Sequence, residues 1–70
     1  MNWYLMSKTE DGVWNEIMRF EPFVRRATLT ASVPATLKVL VLSEGSVRES
    51  PVFHAEAGQT ITISLAGLVA

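Results

Sequence analysis

The chain has 70 residues, a formal net charge of −1 and no cysteine. This length allows one domain at most, and the absence of cysteine excludes disulfides and thiolate zinc sites. The near-neutral charge gives no long-range attraction for nucleic-acid phosphates and does not favour acidic substrates.

The N-terminal part of the sequence predicts two elements joined by a turn. Residues 2–7 are aromatic and apolar, which favours a strand. Residues 8–12 are typical of a turn. Residues 13–20 have the apolar spacing of a short helix, but their β-branched and aromatic content favours a strand. We therefore expect residues 1–20 to form a hairpin, or an arm that reaches to a neighbouring chain.

Two further strands are predicted in the middle of the chain. Residues 23–33 alternate from Ala27 onward, with threonine and serine on the outer side, which indicates a half-buried strand. Residues 36–42 are apolar on both faces apart from Lys38, which is typical of a central strand or one covered on both sides.

The C-terminal part predicts a closing hairpin and an apolar tail. Residues 47–56 are extended, but Pro51 cannot donate to a sheet ladder and places the segment at an edge or bulge. Residues 60–65 alternate strictly, with both isoleucines and Leu65 on the inner side. Residues 66–70 form the tail.

These segments predict an all-β fold, a small antiparallel β-sandwich or barrel of five to six short strands. The whole chain, residues 1–70, forms one domain, with a sandwich core over residues 23–66. No secretory signal or membrane-spanning run is visible, so we expect synthesis in the cytoplasm and no membrane partner.

The apolar content is high for a chain of this size. The hydrophobic fraction is 49% and the mean hydropathy is +0.26. A folded chain this short hides only about 60% of its surface, and small folds without disulfides or metals commonly depend on association. The composition therefore predicts that other protein subunits, identical or different, complete the burial.

The closing hairpin has a class-level resemblance to known modules. The segment PVFHAEAGQTITISL, residues 51–65, is similar to the last two strands of many immunoglobulin-like and jelly-roll-like β-sandwich modules. The similar positions are Phe53, Ala55, Ala57, Gly58, Gln59, Thr60, Ile61 and Ile63. Such modules occur in sugar-binding domains, cell-surface repeats and phage virion proteins. Very short, cysteine-free, apolar β proteins without a signal are also similar in kind to phage capsid decoration and other virion components. This resemblance of class implies a virion structural component of the capsid decoration or cement type, incorporated into a particle.

The sequence does not indicate enzymatic chemistry or a cofactor. A Ser-His-Asp set would need His54 and Asp11, the only residues of their types, but Asp11 lies in a turn signal and there is no nucleophile elbow. His54 and Glu56 could at most help to hold an ion shared between subunits. Arg25 and Arg26 lie near aromatic residues, but two basic residues beside a glutamate favour a charged edge strand over nucleic-acid binding.

Eight residues are predicted to contact neighbouring subunits. They combine the N-terminal aromatics, the apolar central strand and the tail: Trp3, Tyr4, Trp14, Leu40, Leu42, Leu65, Leu68 and Val69. The leading hypothesis is therefore a non-enzymatic structural subunit that acts by intersubunit packing. Two alternatives stay open: a small carbohydrate- or protein-binding module that uses the aromatics, and a small phage-encoded inhibitor of a host protein. A small-molecule ligand is not expected.

Overall fold

The computed structural model describes residues 2–65, and this part of the chain is built from seven antiparallel strands without a helix. The strands are β1 (Asn2–Lys8), β2 (Trp14–Phe20), β3 (Arg26–Thr30), β4 (Ala35–Ser43), β5 (Ser46–Glu49), β6 (Phe53–Ala55) and β7 (Thr60–Ser64). The predicted all-β antiparallel class is confirmed. The strand count exceeds the expectation because residues 47–56 contain parts of two short strands.

The strands form a larger and a smaller sheet. In the larger sheet β1 lies between β2 and β4, and both β5 and β6 pair with the far side of β4. The smaller sheet pairs β3 with β7. The central position predicted for residues 36–42 is confirmed, and the N-terminal hairpin is part of the larger sheet.

The break between β5 and β6 follows from Pro51. Ser50 replaces the regular ladder, since its backbone N donates to the Val39 carbonyl at 2.9 Å and its hydroxyl accepts from the Val39 N at 2.8 Å. Pro51 comes next and has no N–H to offer. The edge or bulge predicted at this position is confirmed.

The core lies between the two sheets. Because side chains alternate along a strand, every second residue of β1 and β4 points toward the smaller sheet. The inner side chains of β7 point toward the larger sheet and pack against them. The buried residues are Trp3, Leu5, Leu37, Val39, Val41, Ala55, Ile63 and Leu65. The inward side predicted for residues 60–65 is confirmed.

Two contacts fix the position of Trp3 in this core. Its ring stacks on Phe20 of β2, with centroids 3.9 Å apart and planes 18° apart. Its indole Nε1 donates to the carbonyl oxygen of Val24 at 2.9 Å. The buried indole therefore has its polar atom satisfied, as burial of tryptophan requires.

The ambiguous segment 13–20 is a strand, so the favoured interpretation is confirmed. Its helix-like spacing has a structural explanation in a β-bulge. Leu5 pairs with Met18 and Met6 pairs with Glu16, which leaves Ile17 as an extra residue. A bulge shifts the alternation by one position and so interrupts the period of two on which a strand is recognised.

Candidate interface on the outer face of the larger sheet

The outer face of the larger sheet is the side opposite the core, and the described residues place no other strand on it. Alternation in β1 turns Tyr4 and Met6 to this side, between the buried Trp3 and Leu5. Alternation in β4 does the same for Leu40 and Leu42. The strand register brings these side chains together, because Tyr4 is paired with Leu40. The result is an apolar centre that is only half-buried.

Trp14 belongs to the same face. It starts β2 opposite Lys8, and the ammonium of Lys38 lies 4.4 Å from its ring centroid. Lys8 lies farther away, at 6.0 Å. Ammonium groups at such distances are attracted to the negative face of an indole. The ring therefore bridges β2 and β4 across β1.

One row of residues crosses four strands of the sheet in register. Arg19 on β2 pairs with Tyr4, Tyr4 pairs with Leu40, and Leu40 pairs with Glu49 on β5. The row carries a cation at one end, a carboxylate at the other and two large side chains between them. The Arg19 guanidinium lies 5.8 Å from the Tyr4 ring centroid.

The carboxylate end of the row is held by an ion pair. Lys38 Nζ donates to Glu49 Oε1 at 2.6 Å. The Lys38 side chain is 18% exposed and the Glu49 side chain is 52% exposed. Solvent screening keeps the energy of such a pair small, but the bond directs the carboxylate over the outer face.

Four of the predicted interface residues lie on this surface: Tyr4, Trp14, Leu40 and Leu42. Trp3 and Leu65 do not, since both side chains are 0% exposed inside the core of the single chain. Neither side chain is accessible to a partner in this structure. Leu65 was expected to be buried by a neighbouring subunit, but residues of the same chain bury it. Leu68 and Val69 lie outside the described residues.

The shared aromatic platform of the sugar-binding alternative does not form. Trp3 and Tyr4 are neighbours on one strand and therefore point to opposite faces. Trp3 is inside the core. The rings of Tyr4 and Trp14 each have a cation nearby, at 5.8 Å and 4.4 Å. These two rings present an amphipathic surface mixed with charge.

Several outer-face residues were not anticipated from the sequence: Met6, Arg19, Lys38, Val47 and Glu49. Their strands are separated in the chain by long intervals, so only the pairing of β1 with β4 places them together. The alternation of residues 2–7 was a usable signal, since it already separates Tyr4 and Met6 from Trp3 and Leu5.

Two of the residues considered for catalysis and metal binding, Asp11 and His54, make hydrogen bonds to nearby threonine hydroxyls. Asp11 lies in the turn between β1 and β2, where its carboxylate contacts the Thr9 hydroxyl. His54 Nδ1 lies 3.1 Å from the Thr36 hydroxyl on the neighbouring strand. Within residues 2–65 no group of three or more acidic or histidine side chains is placed to hold a metal ion.

Comparisons with protein-family models, curated proteins and solved structures find no match for this chain. The described part of the chain has no helix of the length and apolarity needed to cross a membrane. The outer face of the larger sheet is thus characterised by its own geometry: an apolar, aromatic centre on a hydrogen-bonded sheet, with charges of both signs around it.

Proposed function

We propose that this chain is a structural subunit that packs the outer face of its larger sheet against another protein subunit in a symmetric assembly. One observation carries the proposal: Tyr4, Trp14, Leu40 and Leu42 lie on one sheet face that none of the other described strands covers. The partners are protein subunits, and the function of the chain is to hold them together by burying apolar surface between them.

The chemistry of the face suits protein packing. Interface cores are enriched in tyrosine, tryptophan, methionine and arginine, and all four residue types occur here as Tyr4, Trp14, Met6 and Arg19. A second β-sheet can pack on such a face at a separation of about 10 Å. The backbone of this face is already hydrogen-bonded within the sheet, so docking is expected to order mainly side chains.

The size of the face favours repeated contacts over a single tight one. Four strands about 4.8 Å apart and about seven residues long cover on the order of 450 Å². A standard interface removes about 800 Å² of accessible area from each partner. Contacts at the small end of this range hold best when several act together, as they do in a closed shell or ring.

The finer proposal is a decoration or cement-like subunit of a phage particle. It is supported by the resemblance of residues 51–65 to virion β modules and by the cysteine-free, apolar composition.

A photo-crosslinking residue placed on the outer face tests the proposal. Benzoyl-phenylalanine at Leu42 in cells that naturally produce the chain should crosslink to one partner subunit and give a product of defined mass. The matched control is Val33, which is 64% exposed in the loop before β4 and off the outer face. Equal crosslinking at both positions, or none at Leu42, would end the proposal.

A further inference from the structure

We infer that the partner on the outer face is a second copy of this chain, related by a two-fold axis that runs parallel to the strands between β1 and β4. This inference rests on the proposed function and names its partner. It is carried by the charge pattern of the four-strand row, Arg19–Tyr4–Leu40–Glu49.

The row is arranged so that it complements itself. A two-fold axis over its centre exchanges its two ends, so Arg19 of one protomer meets the partner's Glu49, and this contact occurs twice. The same operation places Tyr4 over the partner's Leu40. Isologous interfaces have this property, in which residue i meets j and j meets i.

The neighbouring rows fit the same axis. Glu16, Met6 and Lys38 lie in one row, and the axis puts Met6 against the partner's Lys38 while Glu16 faces the break after Glu49. A lysine stem can cover an apolar side chain and keep its ammonium in solvent. No two charges of the same sign face each other in these rows.

A different axis makes a testable contrast. An axis lying along the row would set Arg19 against the partner's Arg19, which is repulsive. If the axis crosses the strands midway between this row and the row of Glu16, Met6 and Lys38, Arg19 meets the partner's Glu16 instead of Glu49. This second arrangement also sets Leu40 against the partner's Lys38, whose ammonium is already held by Trp14 and Glu49.

Glu49 is prepared to receive the guanidinium. Lys38 binds its Oε1 atom at 2.6 Å and so fixes the carboxylate on this face. A carboxylate accepts through two oxygens, and a guanidinium is well suited to share one with an ammonium. Docking would build a Lys38–Glu49–Arg19 network across the interface.

A charge-swap experiment tests the inference. Arg19→Glu alone sets two pairs of carboxylates face to face, and Glu49→Arg alone sets two pairs of cations face to face. Each variant should weaken self-association by on the order of 100-fold in sedimentation equilibrium. When the two variants are mixed, both cross-pairs have opposite charge, and a heterodimer of wild-type affinity should form.

Circular dichroism melting of each variant shows that it is folded. Arg26→Glu is the matched control, because Arg26 is exposed on β3 of the smaller sheet and lies off the outer face. A mixture of Arg19→Glu with Glu16→Arg that restores association, where Arg19→Glu with Glu49→Arg does not, would overturn the axis. A wild-type chain that stays monomeric up to about 500 μM would overturn the self-association itself. Crosslinking of Leu42 to a different subunit would then still support the proposed function.

Discussion

Trp3 is joined to Val24 by a hydrogen bond of 2.9 Å from its indole nitrogen to the backbone carbonyl. Val24 lies in the segment that enters β3, so this bond connects the larger sheet to the smaller one. The same indole stacks on Phe20. Trp3 thus fixes the relative position of the two sheets as well as filling the space between them.

Trp3→Phe is expected to destabilise the fold by about 2–3 kcal/mol, because it leaves the Val24 carbonyl without its donor and removes ring volume from the core. Urea denaturation followed by circular dichroism measures the change. Tyr4→Phe on the opposite face is the matched control, with an expected effect within about 0.5 kcal/mol. Equal stability of the two variants would show that the indole bond contributes nothing.

Leu65→Asp is expected to abolish folding, since it places a carboxylate at a side chain that is 0% exposed among apolar residues. A buried, unpaired charge costs at least about 4 kcal/mol, which is most of the stability of a domain this small. Leu42→Asp should keep the fold and lose only association. Circular dichroism and sedimentation velocity separate the two outcomes, and a folded, monomeric Leu65→Asp would contradict the burial of this residue.

Gly58→Val is expected to cost about 1–2 kcal/mol, because Gly58 has φ +83° and a β-branched residue is strained there. Nothing lies within 4 Å of the added Cβ, so the cost comes from the backbone and not from a clash. Gly58→Asn should cost less, since asparagine tolerates this conformation better. Thermal unfolding compares the two, and a valine variant as stable as the wild type would mean that the turn has another conformation.

Lys38→Met is expected to cost more than Glu49→Gln, because Lys38 contacts both Glu49 and the Trp14 ring. The coupling of Lys38 with Glu49 in a double-mutant cycle should be below about 1 kcal/mol and should decrease in high salt. The remaining cost of Lys38→Met is the cation–π contact, about 0.5–1 kcal/mol. If the two single variants lowered the free energy of unfolding equally, the cation–π contact of Lys38 with Trp14 would contribute nothing to stability. These measurements should be made at low protein concentration, because self-association would add to the apparent stability.

The strands were largely predictable because their signals are local. Residues 60–65 alternate in the sequence and do so in the fold, where Ile63 and Leu65 face the core. Pro51 marks the break in the edge strand for the same local reason, since it has no backbone donor. The alternation of residues 23–33 extends less far than expected, because β3 covers only Arg26–Thr30 and Phe23 and Val33 lie in exposed loops.

The candidate interface was only half predictable because it depends on contacts between distant strands. The composition indicated that Tyr4, Leu40 and Leu42 would be used outside the core, but it grouped them with Trp3 and Leu65. A strand places neighbouring residues on opposite sides, and only the direction of the smaller sheet decides which side is covered. No local pattern in the sequence predicts that β3 and β7 pack on the side of β1 that carries Trp3 and not on the side that carries Tyr4.

The buried residues Trp3 and Leu65 come from opposite ends of the described chain and close the same core. The core is therefore complete only when β7 and Leu65 have joined β1 and β4. A fragment that ends before β7 lacks Ile63 and Leu65 and leaves one side of this core open to water. Residues 2–65 are thus expected to fold in one cooperative step that joins the first described strand to the last.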